Sequence, residues 1–357
     1  MRTNPPEQAL HYAPGALHIH THYSDGSGSF PEVIAAARAA GLRWIIVTDH
    51  DSLEGRDYAG WHDGVLVIVD HEITPERNHF LALGLSETVA ASLPPQEFID
   101  EVYNRGGFGI IAHPDERVAN PFKAIYRWDD WQVDGPRMRD GASVGIELWN
   151  LMSDWGESLT PRNRFLHFFV PTLGLNGPTP ATLDWWDRLN MQGRRTFGVG
   201  GVDAHAFKRR VPWGEAEIFP YRWIFGTLTN YLLLNAPLSN DATIATAQVY
   251  AALRQGRSYF VNRLDGDAPR ITFRATRGSE QHTMGAVVAA GPEPLLLTAD
   301  VGRNAFVRLI ANGELLASGI RHLRQSVTAG AVYRLEAYMG GKPWLFTNPI
   351  YVTDAGQ

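Results

Sequence analysis

Apolar and polar positions divide the chain into two regimes. Over roughly the first two-thirds, short apolar runs that end in polar residues alternate with amphipathic stretches. ALHIHT (Ala16–Thr21), RWIIVTDH (Arg43–His50), VLVIVDHE (Val65–Glu72), HFLALG (His79–Gly84), FGIIAHP, VGIELWN and TFGVGGVDAH read as strands. Pro31 opens a helix with Val33, Ile34, Ala37 and Ala40 at helical spacing, and Gly41 stops it. Further helices are predicted over Pro94–Arg105, Pro180–Gln192 and Thr243–Gln255. Strands alternating with helices of this length predict a parallel sheet. Near-continuous apolar strands predict one covered on both faces.

From about Asp265 the helices stop. ITFRAT, PLLLTADV, FVRLIANGELLA, VYRLEAYM and WLFTNPIYV follow as strands, and Asn312-Gly313 marks a two-residue hairpin. The expected organisation is an α/β barrel over 1–263 and a small all-β sandwich over 264–357. A length of 357 residues agrees with about two domains.

Composition narrows the function classes. With 44% hydrophobic residues the chain can build a packed core. A net charge of −6 makes nucleic acid or an anionic membrane a poor partner. The chain has no cysteine, so disulfides, thiolate metal sites and cysteine nucleophiles are excluded. The start has no apolar signal segment, and runs such as WIIV and VLVIV are too short to span a membrane. The expected location is cytoplasmic.

The chain has 13 histidines, and they are not scattered evenly: several stand at the ends of predicted strands. On a strand, His18 and His20 would share a face about 6–7 Å apart. Asp25 lies in the loop after them. His50, His71-Glu72, His113 and Asp203-Ala204-His205 close other predicted strands. So many nitrogen and oxygen donors at the same end of successive strands point to divalent metal, and a barrel gathers its chemistry at that end.

The segments LHIHTHYSDGS, VTDHDSLEG, DHE, AHP and GGVDAH resemble, in order, the signatures of the polymerase and histidinol phosphatase (PHP) superfamily. That resemblance implies a distorted, TIM-like (β/α)7 barrel with two or three divalent ions, Zn, Mn or Fe. It implies that His18, His20, Glu72 and Asp203 hold one metal and Asp25, His50 and His205 another. Glu72 would bridge to a further ion at His113. Family members often carry Asp where Ala16 stands here, and trinuclear members use a further His that this chain lacks at a matching place. Glu147 is the nearer substitute, with His167 in a helical-looking stretch. The ending FTNPIYV is similar to that of the carbaryl-hydrolase-type branch. The wider family is mostly phosphoesterases, while this branch includes an ester and carbamate hydrolase.

The expected chemistry is hydrolysis of a small-molecule ester by a hydroxide shared between metal ions. Phosphate mono- or diesters come first, and carboxylic or carbamate esters second. A non-catalytic PHP-like scaffold is the reading from another class. Glu72, Asp203 and His205 are expected at the reacting centre, with His22 and His79 as candidates for leaving-group protonation. Lys208-Arg209-Arg210 and Arg77 are candidate phosphate contacts. Trp149 and Trp155, with Trp128 and Trp131, are candidates to line a pocket. Trp185 and Trp186 read as core.

Overall fold

The computed structural model describes residues 10–116, 128, 144–211 and 214–354. Trp131 and the side chain of Arg209 lie outside the described residues. No helix among the described residues is long and apolar enough to cross a membrane.

The first part is a mixed α/β unit. Its strands are β1 (His11–Leu17), β2 (Trp44–His50), β3 (Val65–Ile73), β4 (Phe80–Leu83), β5 (Phe108–Ile111), β6 (Gly145–Asn150) and β7 (Gly198–Gly201). They pair in chain order. Every pairing is parallel except the two made by β4, which runs the other way. Just past the last strand the path meets the first again. Val202 and Ala204 donate to the carbonyls of Leu17 and His18, and His20 donates back to Ala204. The strict strand–helix alternation of the expected barrel is not seen. Helix α1 (Phe30–Ala39) makes the crossover between the parallel strands β1 and β2, whereas α2 (Pro95–Asn104) joins the antiparallel pair β4 and β5. Helices α3 (Leu151–Glu157), α4 (Arg164–Phe169) and α5 (Pro180–Met191) all lie between β6 and β7.

The local sequence explains these elements. In α1, Ser29 and Glu32 form a capping box, Pro31 sits in the first turn, and Phe30, Val33, Ile34 and Ala37 face inward. β3 is buried along its whole length, as its unbroken apolar run predicts. The first strand ends earlier than expected. Leu17 is its last residue, and His18 has a left-handed backbone (φ 66°).

The tail contributes a four-stranded antiparallel sheet made of Glu280–Thr283, Thr272–Arg277, Leu295–Asp300 and His322–Val327. Its other strands belong to the sheet of the first part. Lys342–Thr347 pairs with Ser258–Asn262, which pairs with Leu228–Leu234, which pairs with β1. The two cores accordingly share a seam. Tyr231, Leu233, Tyr259 and Val261 join the tail core with Trp344 and Ile350. Phe346 packs into the core of the first part and stacks on Phe260 at 5.4 Å. Asn312 and Gly313 both have positive φ, as a hairpin turn of this kind requires.

Two asparagines stitch β7 into place. Asn230 and Asn348 each accept from one strand amide and donate to the same residue's carbonyl, at Gly200 and Gly198 respectively. Each side-chain amide stands in for a neighbouring peptide group. Asn348 comes from the FTNPIYV ending, so the tail supports the strand that leads to Asp203 and His205.

Candidate metal centre

The ends of β1, β2, β3, β5 and β7 converge on one cluster. Glu72 is its hub. Its carboxylate lies 3.2 Å from His18 Nε2, 3.4 Å from His20 Nε2, 3.0 Å from His79 Nδ1 and 3.4 Å from His113 Nε2. Asp203 Oδ1 lies 3.4 Å from Nε2 of both His18 and His20. Asp25 Oδ1 is 3.0 Å from His205 Nε2 and 3.3 Å from His50 Nε2. Four overlapping donor groups result: His20–Asp25–His50–His205, His18–His20–Glu72, His18–His113–Asp203 and Glu72–His79–His113.

The outward nitrogens of these rings are held. His18 Nδ1 donates to Glu147 at 2.7 Å, His79 Nε2 to the Pro75 carbonyl at 3.1 Å and His205 Nδ1 to the Asp203 carbonyl at 2.9 Å, while His50 Nδ1 lies between Thr74 Oγ1 at 2.7 Å and Glu72 Oε2 at 3.2 Å. Fixing one ring nitrogen leaves the other a lone-pair donor aimed inward, the arrangement seen around bound metals. His20 is fully buried, and neither of its ring nitrogens makes a hydrogen bond within the protein. A buried imidazole left in that state is costly unless a ligand takes it. Nitrogen and carboxylate donors of this kind fit Zn, Mn or Fe.

Charge points the same way. Glu72 and Asp203 are held well below the ordinary carboxylate range: burial pushes them up, but the surrounding histidines outweigh it. Burial also lowers the histidines, yet the charges and hydrogen bonds of Asp25 and Glu72 bring His50 up to about 10. Against the same burial, Glu116 and Glu72 bring His113 up to about 9. His20 is pushed down to about 3 by burial and by the neighbouring His205 charge. Among the described residues, no arginine or lysine pairs with Glu72, Asp203 or Asp25.

The backbone pays locally for this convergence. His18, His113 and Asp203 all have positive φ (66°, 27° and 51°), which L residues rarely adopt. Strand alternation therefore is not what aligns His18 with His20. The strand has already ended, and the left-handed turn brings both rings to Glu72, with centroids 5.1 Å apart.

Several supporting residues were not singled out by sequence reasoning. Asp49 accepts from Thr21 N, Thr21 Oγ1 and Ser24 Oγ at 2.6–2.7 Å and pins the loop carrying His20 and Asp25. Tyr221 OH lies 2.7 Å from the His20 carbonyl and 3.2 Å from that of His205. The nearest sequence signal was the TDH motif for Asp49; Tyr221 had none. Glu147, expected as a substitute ligand, instead orients His18 and accepts from His113 N and Asn150 Nδ2. Gly201 makes room for it, because a Cβ there would meet Glu147 Oε1 at 1.7 Å. His79, expected for proton transfer, sits among the possible ligands with Glu72 and His113.

Other candidates lie away from the cluster. His22 is exposed, packs at a tilt against Tyr23 with ring centroids 4.4 Å apart and faces the Gly28 carbonyl. His167, in α4, lies 3.1 Å from Ser158 Oγ. Arg77 is exposed. Lys208 and Arg210 are exposed on the strand Phe207–Val211, where the register sets them opposite Glu217 and Glu215. Phe207 of the same strand faces the cluster, so alternation turns Lys208 and Arg210 the other way. Trp149 is core, bonded to Asp154, and Trp128 packs between Phe80 and Phe98. Trp155 lines the cavity of about 900 Å³ that opens onto the metal cluster. Trp185 and Trp186 are buried, as expected.

The PHP domain model matches residues 16–92, the stretch that carries His18, His20, Asp25, His50 and Glu72. An uncharacterized protein of Methanocaldococcus jannaschii, MJ1587, is 30% identical over 149 residues, covering 38% of this chain and 80% of that one. The chain belongs to the PHP family. A two-domain Bacteroides vulgatus protein containing a predicted PHP-like metal-dependent phosphoesterase is 15% identical, with 96% of both chains covered and a TM-score of 0.43. A Bifidobacterium adolescentis protein proposed to be a metal-dependent phosphoesterase is 16% identical, with 54% of this chain and 87% of that chain covered and a TM-score of 0.31. These findings bear on the PHP domain and not on the carbaryl-hydrolase-type branch.

Proposed function

We propose that this PHP protein is a metal-dependent hydrolase of phosphate mono- or diesters of small organic molecules. The observation that carries the reading is the convergence of six inward histidine donors with Glu72, Asp203 and Asp25 at the floor of an open cavity. Membership of a family made up mostly of phosphoesterases supports the phosphate class. Two or three divalent cations at these ligands would supply Lewis acidity and an acidified water. His18, His20, Glu72 and Asp203 would hold one cation, Asp25, His50 and His205 another, and Glu72, His113 and His79 a further one. Glu147 keeps His18 in the tautomer that ligates through Nε2. His79, held by the Pro75 carbonyl through Nε2 and facing Glu72 through Nδ1, would serve as a ligand and not as the proton donor to the leaving oxygen. The unit would act as a distorted PHP barrel with the tail as its structural support.

A carboxylic or carbamate ester is the second reading. The outward-turned Lys208 and Arg210 and the apolar side of the cavity favour it, since a neutral carbonyl ester needs no basic rim. The test is a panel of aryl phosphate monoester, diester, carboxylate ester and N-methylcarbamate on metal-reconstituted protein. Phosphate ester turnover that chelation abolishes is expected. Cleavage of the carbonyl esters alone would establish the second reading, and no turnover of any would leave a binding scaffold.

A further inference from the structure

The cavity above the metal cluster has two unlike sides. One side is the ligand set. The other is apolar and aromatic, with Trp155, Phe165, Phe168, Phe169, Phe207 and Phe219 among its residues. The apolar side begins at the cluster itself, because Phe207 stacks on the candidate ligand His205 at 4.8 Å with an interplanar angle of 16°. It continues through Phe219, which meets the edge of Trp155 at 4.6 Å. It ends on α4, whose sequence is RFLHFF and of which no residue is buried. Phe165 is 66% exposed and Phe169 70%. A six-residue helix that presents this much aromatic surface to solvent gains nothing from it in the free protein. Next to a reaction centre, the same surface gains free energy when it covers an apolar ligand group.

We infer that α4 and the Trp155–Phe219 wall bind a bulky apolar group of the substrate, so that the ester cleaved carries an aromatic or branched aliphatic substituent. This rests on the hydrolase reading above. The cavity, at about 900 Å³, has room for such a group beside the scissile centre. Its fixed charge agrees. Asp25, Glu72, Glu116 and Asp203 line it against Arg164 as the one arginine or lysine among the described lining residues. A substituent without negative charge is the one that this wall accommodates.

The test uses the full chain, metal-reconstituted, with ethyl phosphate and benzyl phosphate, whose alcohols have similar acidity. The ratio of kcat/KM, benzyl over ethyl, is expected to be at least about tenfold. In the double variant Phe165→Gln, Phe169→Gln the ratio should fall at least fivefold. Both side chains are exposed, so the variant should keep its fold, which thermal melting monitored by circular dichroism checks. A second arm needs no turnover: the affinity of the dye 8-anilinonaphthalene-1-sulfonate for the same two proteins should fall at least fivefold on substitution. Hydrolysis with a ratio near one, or a high ratio that the double variant leaves unmoved, would overturn the α4 assignment while the hydrolase reading stands. No hydrolysis of either ester, with dye affinity lost in the variant, would sink the phosphate reading and keep the apolar wall.

Discussion

Two clusters of carboxylates in this protein, each with buried members, are neutralised in opposite ways. At the seam between the first part and the tail, Arg334 forks onto Asp187 of α5 with both bonds at 2.7 Å and reaches Glu336 at 2.6 Å. Arg308 adds a bond to Glu336 at 3.0 Å, and the Arg334 guanidinium lies over the Trp186 ring at 5.3 Å. That cluster carries its own permanent cations, since a guanidinium does not deprotonate at ordinary pH. At the metal centre, Glu72, Asp203 and Asp25 face histidines instead. Imidazoles can give up their protons, and each then becomes a ligand. The first cluster is closed by its own cations; the second, on the reading proposed above, would exchange protons for metal. Asp70 marks a third regime. It is buried with only Tyr250 OH and Gly84 N as donors, and burial pushes it up to about 6.

The strongest way to break the comparison is at Glu72. Glu72→Gln should lower turnover by more than about a thousandfold, because Lewis-acid stabilisation is worth several kcal/mol. Elemental analysis should show fewer ions bound, with the fold retained. Near wild-type turnover would remove Glu72 from the hub. Arg334→Met comes next. It strands Asp187 and Glu336 without their shared cation and should cost about 3–5 kcal/mol of stability in a denaturant titration. Metal content should stay unchanged in whatever protein remains folded; a loss of metal instead would mean that the two clusters are not independent.

Smaller effects sharpen the contrast. Saturating divalent metal should stabilise the protein by about 2.7 kcal/mol at a hundred times the dissociation constant. A chelator should reverse the shift in melting temperature, and Arg334 variants should show the same increment. Glu147→Ala should weaken metal binding by about 10–100-fold without removing a ligand, because it releases His18 from its tautomer. Unchanged affinity would make Glu147 a packing residue.

The smallest effect concerns Asp70. Its folded pKa is raised above the unfolded value, so its contribution favours folding below the unfolded pKa and is lost as pH rises through about 6. Relative to Asp70→Asn, the wild type should lose about 1 kcal/mol of stability between pH 5 and pH 7. Parallel stability curves for the two proteins would show that burial does not raise the Asp70 carboxyl above its unfolded value.

Donor identity was legible in the order of residues. His18, His20, Asp25, His50, Glu72, His113, Asp203 and His205 close or follow apolar runs, and a buried strand must end where polar side chains begin. Their shared location follows from strands that run the same way. The hairpin at Asn312-Gly313 was legible for a similar reason, since turn chemistry is local, but the joining of most tail strands to the sheet of the first part was not. What only the assembled chain decided is how the donors are shared and oriented. His20 meets two donor groups, His79 joins another with Glu72 and His113, and Glu147 orients His18. Each of these depends on side-chain distances across strands far apart in sequence, after left-handed turns at His18, His113 and Asp203 that no local pattern announces. The same holds for Lys208 and Arg210. Their run looks like an anion rim along the chain, but strand alternation turns both away from the cluster and sets them opposite acidic neighbours in the partner strand.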